Sequence, residues 1–250
     1  MLPIANIFGL RFYVFPVIAL IAITCCLLLF ICSRKYNNLF IEYVLKSLPW
    51  VAFFTVLIGK TLNILIRYMQ GERKLSVLLN GFPFFGGLIG ILAGLYIYCR
   101  INNLYFYELS DIFLSLLPLG QAIGRLGCYC NGCCYGKHYE GPFAVHYFVD
   151  GKFDTVYPTW FLESFFCICL FVIMFHISGR LYSGMYSAFY MLLYPVFRFI
   201  IEFYRGDTIR GVWGLLSTSQ YISIIIFLFG IYTLYKAIYF KRYNSAIVKR

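Results

Sequence analysis

Tyr13–Cys32 reads YVFPVIALIAITCCLLLFIC, 20 residues without a single charge. A helix needs roughly 20 apolar residues to cross a bilayer, so this stretch alone selects a membrane fold. It is too long and too aromatic for a cleaved signal peptide, and no small-residue cleavage site follows it. Further stretches of the same kind recur at 49–68, 80–99, 107–124, 158–178, 183–203 and 218–239. Composition agrees: 62% of the 250 residues are hydrophobic and 12% charged, far from an average soluble domain. Little chain is left between the spans. The expectation is an all-α polytopic membrane protein of about seven transmembrane helices, forming a single integral-membrane domain over 1–250 with no internal repeat.

The net charge of +11 raises the question of nucleic acid, and its distribution answers it. Arg34, Lys35, Arg73, Lys74, Arg180, Lys241, Arg242, Lys249 and Arg250 cluster at the ends of apolar spans. That is the topology signal of a protein whose partner is the lipid bilayer, not nucleic acid. The C-terminal cluster places that end in the cytoplasm, and an odd number of spans then puts the N-terminus outside. Arg67, Arg73, Lys74, Arg125, Lys137, Lys152, Arg205 and Arg210 fall on the outer side in this arrangement, which implies an anionic ligand there.

Polar groups inside the spans are functional candidates. Gly124–Gly136, GRLGCYCNGCCYG, packs one Arg, one Asn, four Cys and four Gly between apolar segments. An Arg at the edge of hydrocarbon is expensive unless it holds an anion. In VFRFIIEFYRGD, Arg198, Glu202 and Arg205 stand at i, i+4 and i+7, along one helical face. The plain reading is an Arg198–Glu202 ion pair that lets the helix insert; the sharper one has Glu202 orienting Arg198 toward a lipid phosphate. Lys60, mid-span beside Gly59, joins Arg125 and Arg198 in a candidate cationic pocket. Glu108 and Asp111 read as caps at the start of the fourth span. Pro118 and Gly120 are expected to bend that helix just before Gln121 and Arg125. Gly90 and Gly94 suit close helix packing, whereas Pro83 with Gly86 and Gly87 suggests a broken, ligand-facing entry.

Cys25, Cys26, Cys32, Cys99, Cys167 and Cys169 lie in or beside apolar spans and read as small hydrophobes. Cys128, Cys130, Cys133 and Cys134 form C-x-C-x-x-C-C, for which several readings stand. Disulfides or packing are the simplest. Zinc is awkward because Cys133 and Cys134 are adjacent, whereas structural sites draw ligand pairs from separate segments. A reactive thiol at Cys128 or Cys133, activated by Arg125, is the third. No metal and no cofactor are expected. Residues 125–157 form a motif loop running into an extracytoplasmic lid. Alternating Phe143, Val145, Tyr147 and Val149 suggest a hairpin closing at Asp150–Gly151. His138 is the nearest candidate base; His146 has no assigned face, and His176 ends span five.

The segments Arg11–Tyr13, Gly59–Lys60, Gly86–Gly90 and Asp111–Gly127, with PLGQAIGRLG at its end, occur in one order with Pro158, Glu163 and the Arg198, Glu202, Arg205 stripe. In this the chain resembles the prolipoprotein diacylglyceryl transferase family. The resemblance implies a seven-helix enzyme of the bacterial cytoplasmic (inner) membrane. It would move a diacylglyceryl group from phosphatidylglycerol to the lipobox cysteine thiol of a prolipoprotein signal peptide, with glycerol phosphate leaving. It assigns phosphate handling to Arg125 and Arg198, with Glu202 holding Arg198. Substrate contacts fall to Tyr13, Lys60, Gly86, Gly87, Gln121, Gly124, Asn131, Glu163 and Arg205. Lys60 stands where the family usually has Arg. Phe85 replaces a His, and Cys128 and Cys133 replace an Asn and a Glu at positions counted as catalytic. Tyr157 and Trp160 replace the His and Gln flanking Pro158. These departures keep alternatives in view: a non-catalytic lipid-binding or assembly protein on the same scaffold, or a transferase with a different acceptor.

Overall fold

The computed structural model describes residues 4–7, 10–32, 38–74, 81–149, 152–177, 182–207 and 211–247; side chains at 4–7, 10–13, 213 and 240–247 are outside that description. Seven helices are present among the described residues. They are α1 (Val14–Cys32), α2 (Asn38–Met69), α3 (Phe84–Asn102), α4 (Phe106–Cys130), α5 (Thr159–His176), α6 (Met185–Ile201) and α7 (Thr218–Ile247). All but α6 are long and apolar enough to cross a membrane. At 17 residues, α6 is about 25 Å long, and a 3₁₀ turn at Glu202–Tyr204 extends it. The result is an all-α polytopic membrane protein.

The helices differ in how much they bury because lipid tails solvate apolar side chains as well as a protein core does. Of α1, only Ala22 and Phe30 are buried, and Leu20, Ile21, Ile23 and Leu28 point outward. In contrast α6 is the inner helix. Its Tyr190, Met191 and Tyr194 meet Leu88 of α3, Leu114 of α4 and Cys167 of α5 in the main core.

Small residues set the α2–α3 contact. A Cβ on Gly86 would lie 2.9 Å from the Gly59 Cα, and one on Gly94 would lie 2.8 Å from the Trp50 carbonyl oxygen; Gly90 abuts the backbone at Thr55. Pro83 is the N-cap residue of α3, so the expected broken entry is the start of a helix. Gly86 and Gly87 sit in its first turn, packed on Gly59, Leu62 and Phe82.

Helix α2 begins at Asn38, well before the expected residue 49, and runs through Pro49. Helix α4 runs unbroken through Pro118 and Gly120 to Cys130, so residues 125–130 are helix, not loop. Intrahelical hydrogen bonds have no water to compete with inside a bundle, and α1 supports this stretch: Phe15 and Ile18 close over Gly127, and the Cys26 thiol donates to the Leu116 carbonyl at 3.6 Å.

Asp111 is a cap, but for a different helix from the one expected. Its carboxylate accepts from the Gly184 N–H at 2.6 Å, and from the Ser187 N–H and hydroxyl at 2.8 and 2.6 Å. It thereby holds the first turn of α6, whose N-terminal N–H groups have no intrahelical partners. Glu108, in the first turn of α4, is placed as expected.

Strands β1 (Ile4–Ile7) and β2 (Leu10–Tyr13) form an antiparallel pair ahead of α1. Between α4 and α5 lies the hairpin of β3 (Val145–Val149) and β4 (Lys152–Val156), with Val149 opposite Lys152; the turn residues 150–151 are outside the described set. Tyr147 and Val156 point inward onto Trp160. Phe143 stays outside the strand and is 89% exposed. A last pair, β5 (Val212–Trp213) and β6 (Leu216–Ser217), precedes α7.

Candidate active site: a buried arginine–carboxylate cage

Helices α4, α5 and α6 each send one charged side chain to a common point. Glu163 of α5 accepts from Arg125 of α4 through Oε1 and from Arg198 of α6 through Oε2, the latter at 3.2 Å. The Tyr194 hydroxyl donates to the same Oε1 at 3.0 Å. Arg198 also pairs with Glu202 at 2.7 Å, Glu202 lies 3.7 Å from Arg205, and Arg205 closes a fork on Asp207 at 2.8 and 2.5 Å. Three guanidiniums thus alternate with three carboxylates. Glu163, Arg198 and Glu202 are 2%, 3% and 1% exposed. Isolated, each ion would be prohibitive at such depth; alternation makes the set neutral and so compatible with a low-dielectric interior. A guanidinium has five N–H donors, so pairing with carboxylates still leaves donors able to address an anion.

Arg205 does not continue the helical stripe. Helix α6 ends at Ile201, the 3₁₀ turn follows, and Arg205 is extended, with φ −75° and ψ 141°. The cause is a short β-like contact with the end of the cysteine motif. The Lys137 N–H donates to the Tyr204 carbonyl at 2.8 Å and the Gly206 N–H to the Tyr135 carbonyl at 2.9 Å. Gly136 and Gly206 permit that approach, since a Cβ on Gly206 would lie 2.5 Å from the Gly136 carbonyl oxygen.

Gln121, one turn before Arg125 on α4, accepts from the Tyr190 hydroxyl at 2.7 Å. Its buried side-chain nitrogen has no hydrogen-bond partner among the described residues. Gly124 faces open space among the described residues, none of which outside its own helix backbone lies within 4 Å of where its Cβ would be. Asn131 caps the C-terminus of α4 and is exposed. Lys60 donates to the Gly81 carbonyl at 3.3 Å, on the α2–α3 side, where Asn63 and Arg67 also approach Gly81. Tyr13 ends β2, and its side chain is outside the described set.

Five of the six positions that read as departures from the family pattern, all but Lys60, fall around this cage. Phe85 packs edge-on to Tyr194 at 6.2 Å, and it is Tyr194 that donates to the Glu163 carboxylate. Tyr157 stacks on Tyr204 at 5.0 Å. Cys128 and Cys133 touch, the Cys133 thiol donating to the Cys128 carbonyl at 3.6 Å. The Trp160 indole N–H donates to the Cys133 carbonyl at 2.6 Å, and the Thr159 hydroxyl to the Cys134 carbonyl at 2.8 Å. Two of the changed positions, Cys133 and Trp160, are therefore bonded to each other.

His138 lies on the lid, paired with Asp154 at 2.7 Å and 3.5 Å from Glu140. The Asp154 carboxylate raises the His138 pKa, and the imidazole holds Asp154 below the usual carboxylate range. His146 is on the exposed face of β3, against Thr155 at 3.1 Å. His176 is the last residue of α5.

From the sequence Glu163 reads as a substrate contact, whereas the structure makes it the shared counterion of Arg125 and Arg198. One signal was available: it is the sole charge in TWFLESFFCICLF, and a lone carboxylate in an apolar span must face a cation. Asp207 was missed because its fork with Arg205 needs the chain to leave the helix.

The sequence matches the prolipoprotein diacylglyceryl transferase family over residues 3–236. The chain belongs to this family. It is 32% identical over 239 residues to the phosphatidylglycerol–prolipoprotein diacylglyceryl transferase 2 of Clostridium perfringens (strain 13 / Type A), a match spanning 91% of this chain and 92% of that one. Identity to the phosphatidylglycerol–prolipoprotein diacylglyceryl transferase of Clostridium tetani is 32% over 238 residues, 91% and 94% of the two chains. The like-named protein of Clostridioides difficile is 37% identical over 154 residues, 61% of this chain and 59% of that one. In this member of the family Arg125 and Arg198 meet at one carboxylate, Glu163.

Proposed function

We propose that this chain transfers a diacylglyceryl group from phosphatidylglycerol to the lipobox cysteine thiol of a prolipoprotein, in a bacterial cytoplasmic membrane. The observation that carries the reading is the convergence of Arg125 and Arg198 on Glu163 inside a membrane bundle. In the reaction a cysteine thiol loses its proton, its sulfur bonds to the glyceryl carbon, and the carbon–oxygen bond to phosphate breaks. The departing oxygen takes the electron pair, and negative charge accumulates on glycerol phosphate. Guanidiniums already fixed by Glu163, Glu202 and Asp207 meet that charge with little reorganisation. Gly124 leaves room on the same helix for a lipid, and Gln121 offers a buried amide donor one turn away. Cys128 and Cys133 stand in the positions of the family's Asn and Glu, and the hairpin of β3 and β4 covers the end of the bundle as a lid. In this reading the site opens to the extracytoplasmic side, with the N-terminus outside and the C-terminus in the cytoplasm.

A second reading, a lipid-binding protein without turnover, is favoured by Phe85, Cys128 and Cys133. Purified protein in phosphatidylglycerol liposomes with a lipobox-cysteine peptide separates the two by mass spectrometry. The expected result is a diacylglyceryl adduct with released glycerol phosphate, and a loss of about 10²–10³-fold or more for Arg125→Ala. A folded protein that retains lipid and forms no adduct supports the second reading.

A further inference from the structure

Of the four motif cysteines, three meet. The sulfurs of Cys128, Cys133 and Cys134 all lie within 4.8 Å of one another, and Cys130 is not in the group. We propose that these three thiols form a binding site for a soft divalent cation of the zinc class.

Three donors is the number that decides between a cation and a disulfide. One disulfide consumes two sulfurs and strands the third, whereas a single cation takes all three and keeps a fourth position for a small exogenous ligand. Bonds of about 2.3 Å from sulfur to zinc place the sulfurs about 3.8 Å apart, so closure from the present spacing asks only for small side-chain shifts. Thiolate donors select zinc-like ions over magnesium or calcium. Adjacent residues such as Cys133 and Cys134 normally point their side chains apart, which would keep both from reaching one cation. The structure removes that objection: Cys134 adopts a left-handed conformation, φ 62°, just after Gly132 at φ 76°. This turn brings Cys134 round to the side of Cys133 and Cys128.

The site is supported from outside. Cys128 is fixed by the last turn of α4. The carbonyls of Cys133 and Cys134 are held by Trp160 and Thr159 at the start of α5, and the Tyr147 hydroxyl of the lid donates to the Tyr129 carbonyl at 2.6 Å. All three cysteines are half-buried, shielded from bulk solvent but reachable by an ion. A cation here would pin the end of α4 to the start of α5, the two helices that carry Arg125 and Glu163.

The test uses the full chain, purified in detergent and fully reduced, with cobalt(II) as the probe. The expected result is a thiolate-to-cobalt charge-transfer band that saturates at one ion per chain and disappears when zinc(II) is added. Cys134→Ser should abolish the band and Cys130→Ser should keep it. If Cys134→Ser does not fold, alkylation of the unsubstituted chain decides. Zinc should slow modification of Cys128, Cys133 and Cys134 at least tenfold and leave Cys130 unchanged. The proposal fails if reduced, folded protein gives no band, if the band survives Cys134→Ser, or if zinc protects Cys130 in place of Cys134.

Discussion

Glu163 carries more of the site than any other residue, because two arginines and a tyrosine from two other helices end on its two oxygens. Replacing a carboxylate by an amide there removes one charge and leaves Arg125 and Arg198 facing each other in a dry interior. Glu163→Gln is therefore expected to destabilise the fold by about 3–5 kcal/mol, the usual consequence of stranding one side of a buried ion pair. Thermal or denaturant unfolding in detergent measures it. Arg125→Ala behaves differently: Glu163 keeps Arg198 and Tyr194, so the fold should lose less than in Glu163→Gln while transfer falls as stated above. A stability loss in Arg125→Ala equal to that in Glu163→Gln would show the cage to be structural at both ends. Glu163 was legible in the sequence as a charge out of place; its double partnership was not.

At the scale of elements, the α2–α3 contact and the lid make separate demands. Gly90 abuts Thr55 backbone, which has no rotamer to yield. Gly90→Ala is expected to push the two helices apart and destabilise by about 1–3 kcal/mol. Gly124→Ala meets no described residue and should stabilise α4 by up to about 1 kcal/mol through helix propensity, while lowering transfer if the lipid lies against that face. Paired melting curves and transfer assays check both. The lid is clasped by His138 and Asp154, and its pH response has a definite sign. His138 has a raised pKa and Asp154 a lowered one. The histidine's contribution is complete below its unfolded value of about 6.5 and is lost as pH rises through the raised folded value. The aspartate's is present above about 3.9 and is lost as pH falls through the lowered folded value. Between those limits the clasp holds. Protection against hydrogen exchange over 138–149 and 152–156, taken relative to the intrinsic base-catalysed rate at each pH, should fall on going from pH 6 to 9, and Asp154→Asn should flatten that profile. The hairpin itself was readable from alternation; the clasp was not, because His138 precedes the strands and meets Asp154 only once they pair.

For the whole molecule, the helix count has a direct consequence. If all seven helices cross, the chain's two ends lie on opposite faces of the membrane, with the C-terminal Lys241, Arg242, Lys249 and Arg250 on the cytoplasmic one. Reporter fusions or impermeant labelling at each terminus should find the N-terminus outside and the C-terminus inside. Both ends on one side would mean that one helix does not cross, and α6, the shortest and most enclosed of those helices with an apolar character, is the first to examine. The paired charges of the cage cancel, so the net +11 resides elsewhere on the chain, where basic residues at helix ends meet headgroups and water.

By itself, the sequence determined that this is a polytopic helical protein, roughly where its helices run, and that a hairpin stands between α4 and α5. Those properties follow from runs of apolar side chains and from period-two alternation, which are local and survive any choice of neighbours. Tertiary structure alone decided that Asp111 caps α6 instead of its own helix, that Arg125 and Arg198 share Glu163, that Arg205 leaves the helix to fork on Asp207, and that three cysteines of four converge. The first three are choices of partner, settled by which faces of distant segments meet once the bundle packs; the fourth follows from the left-handed turn at Gly132 and Cys134. Spacing along one chain segment does not contain that information.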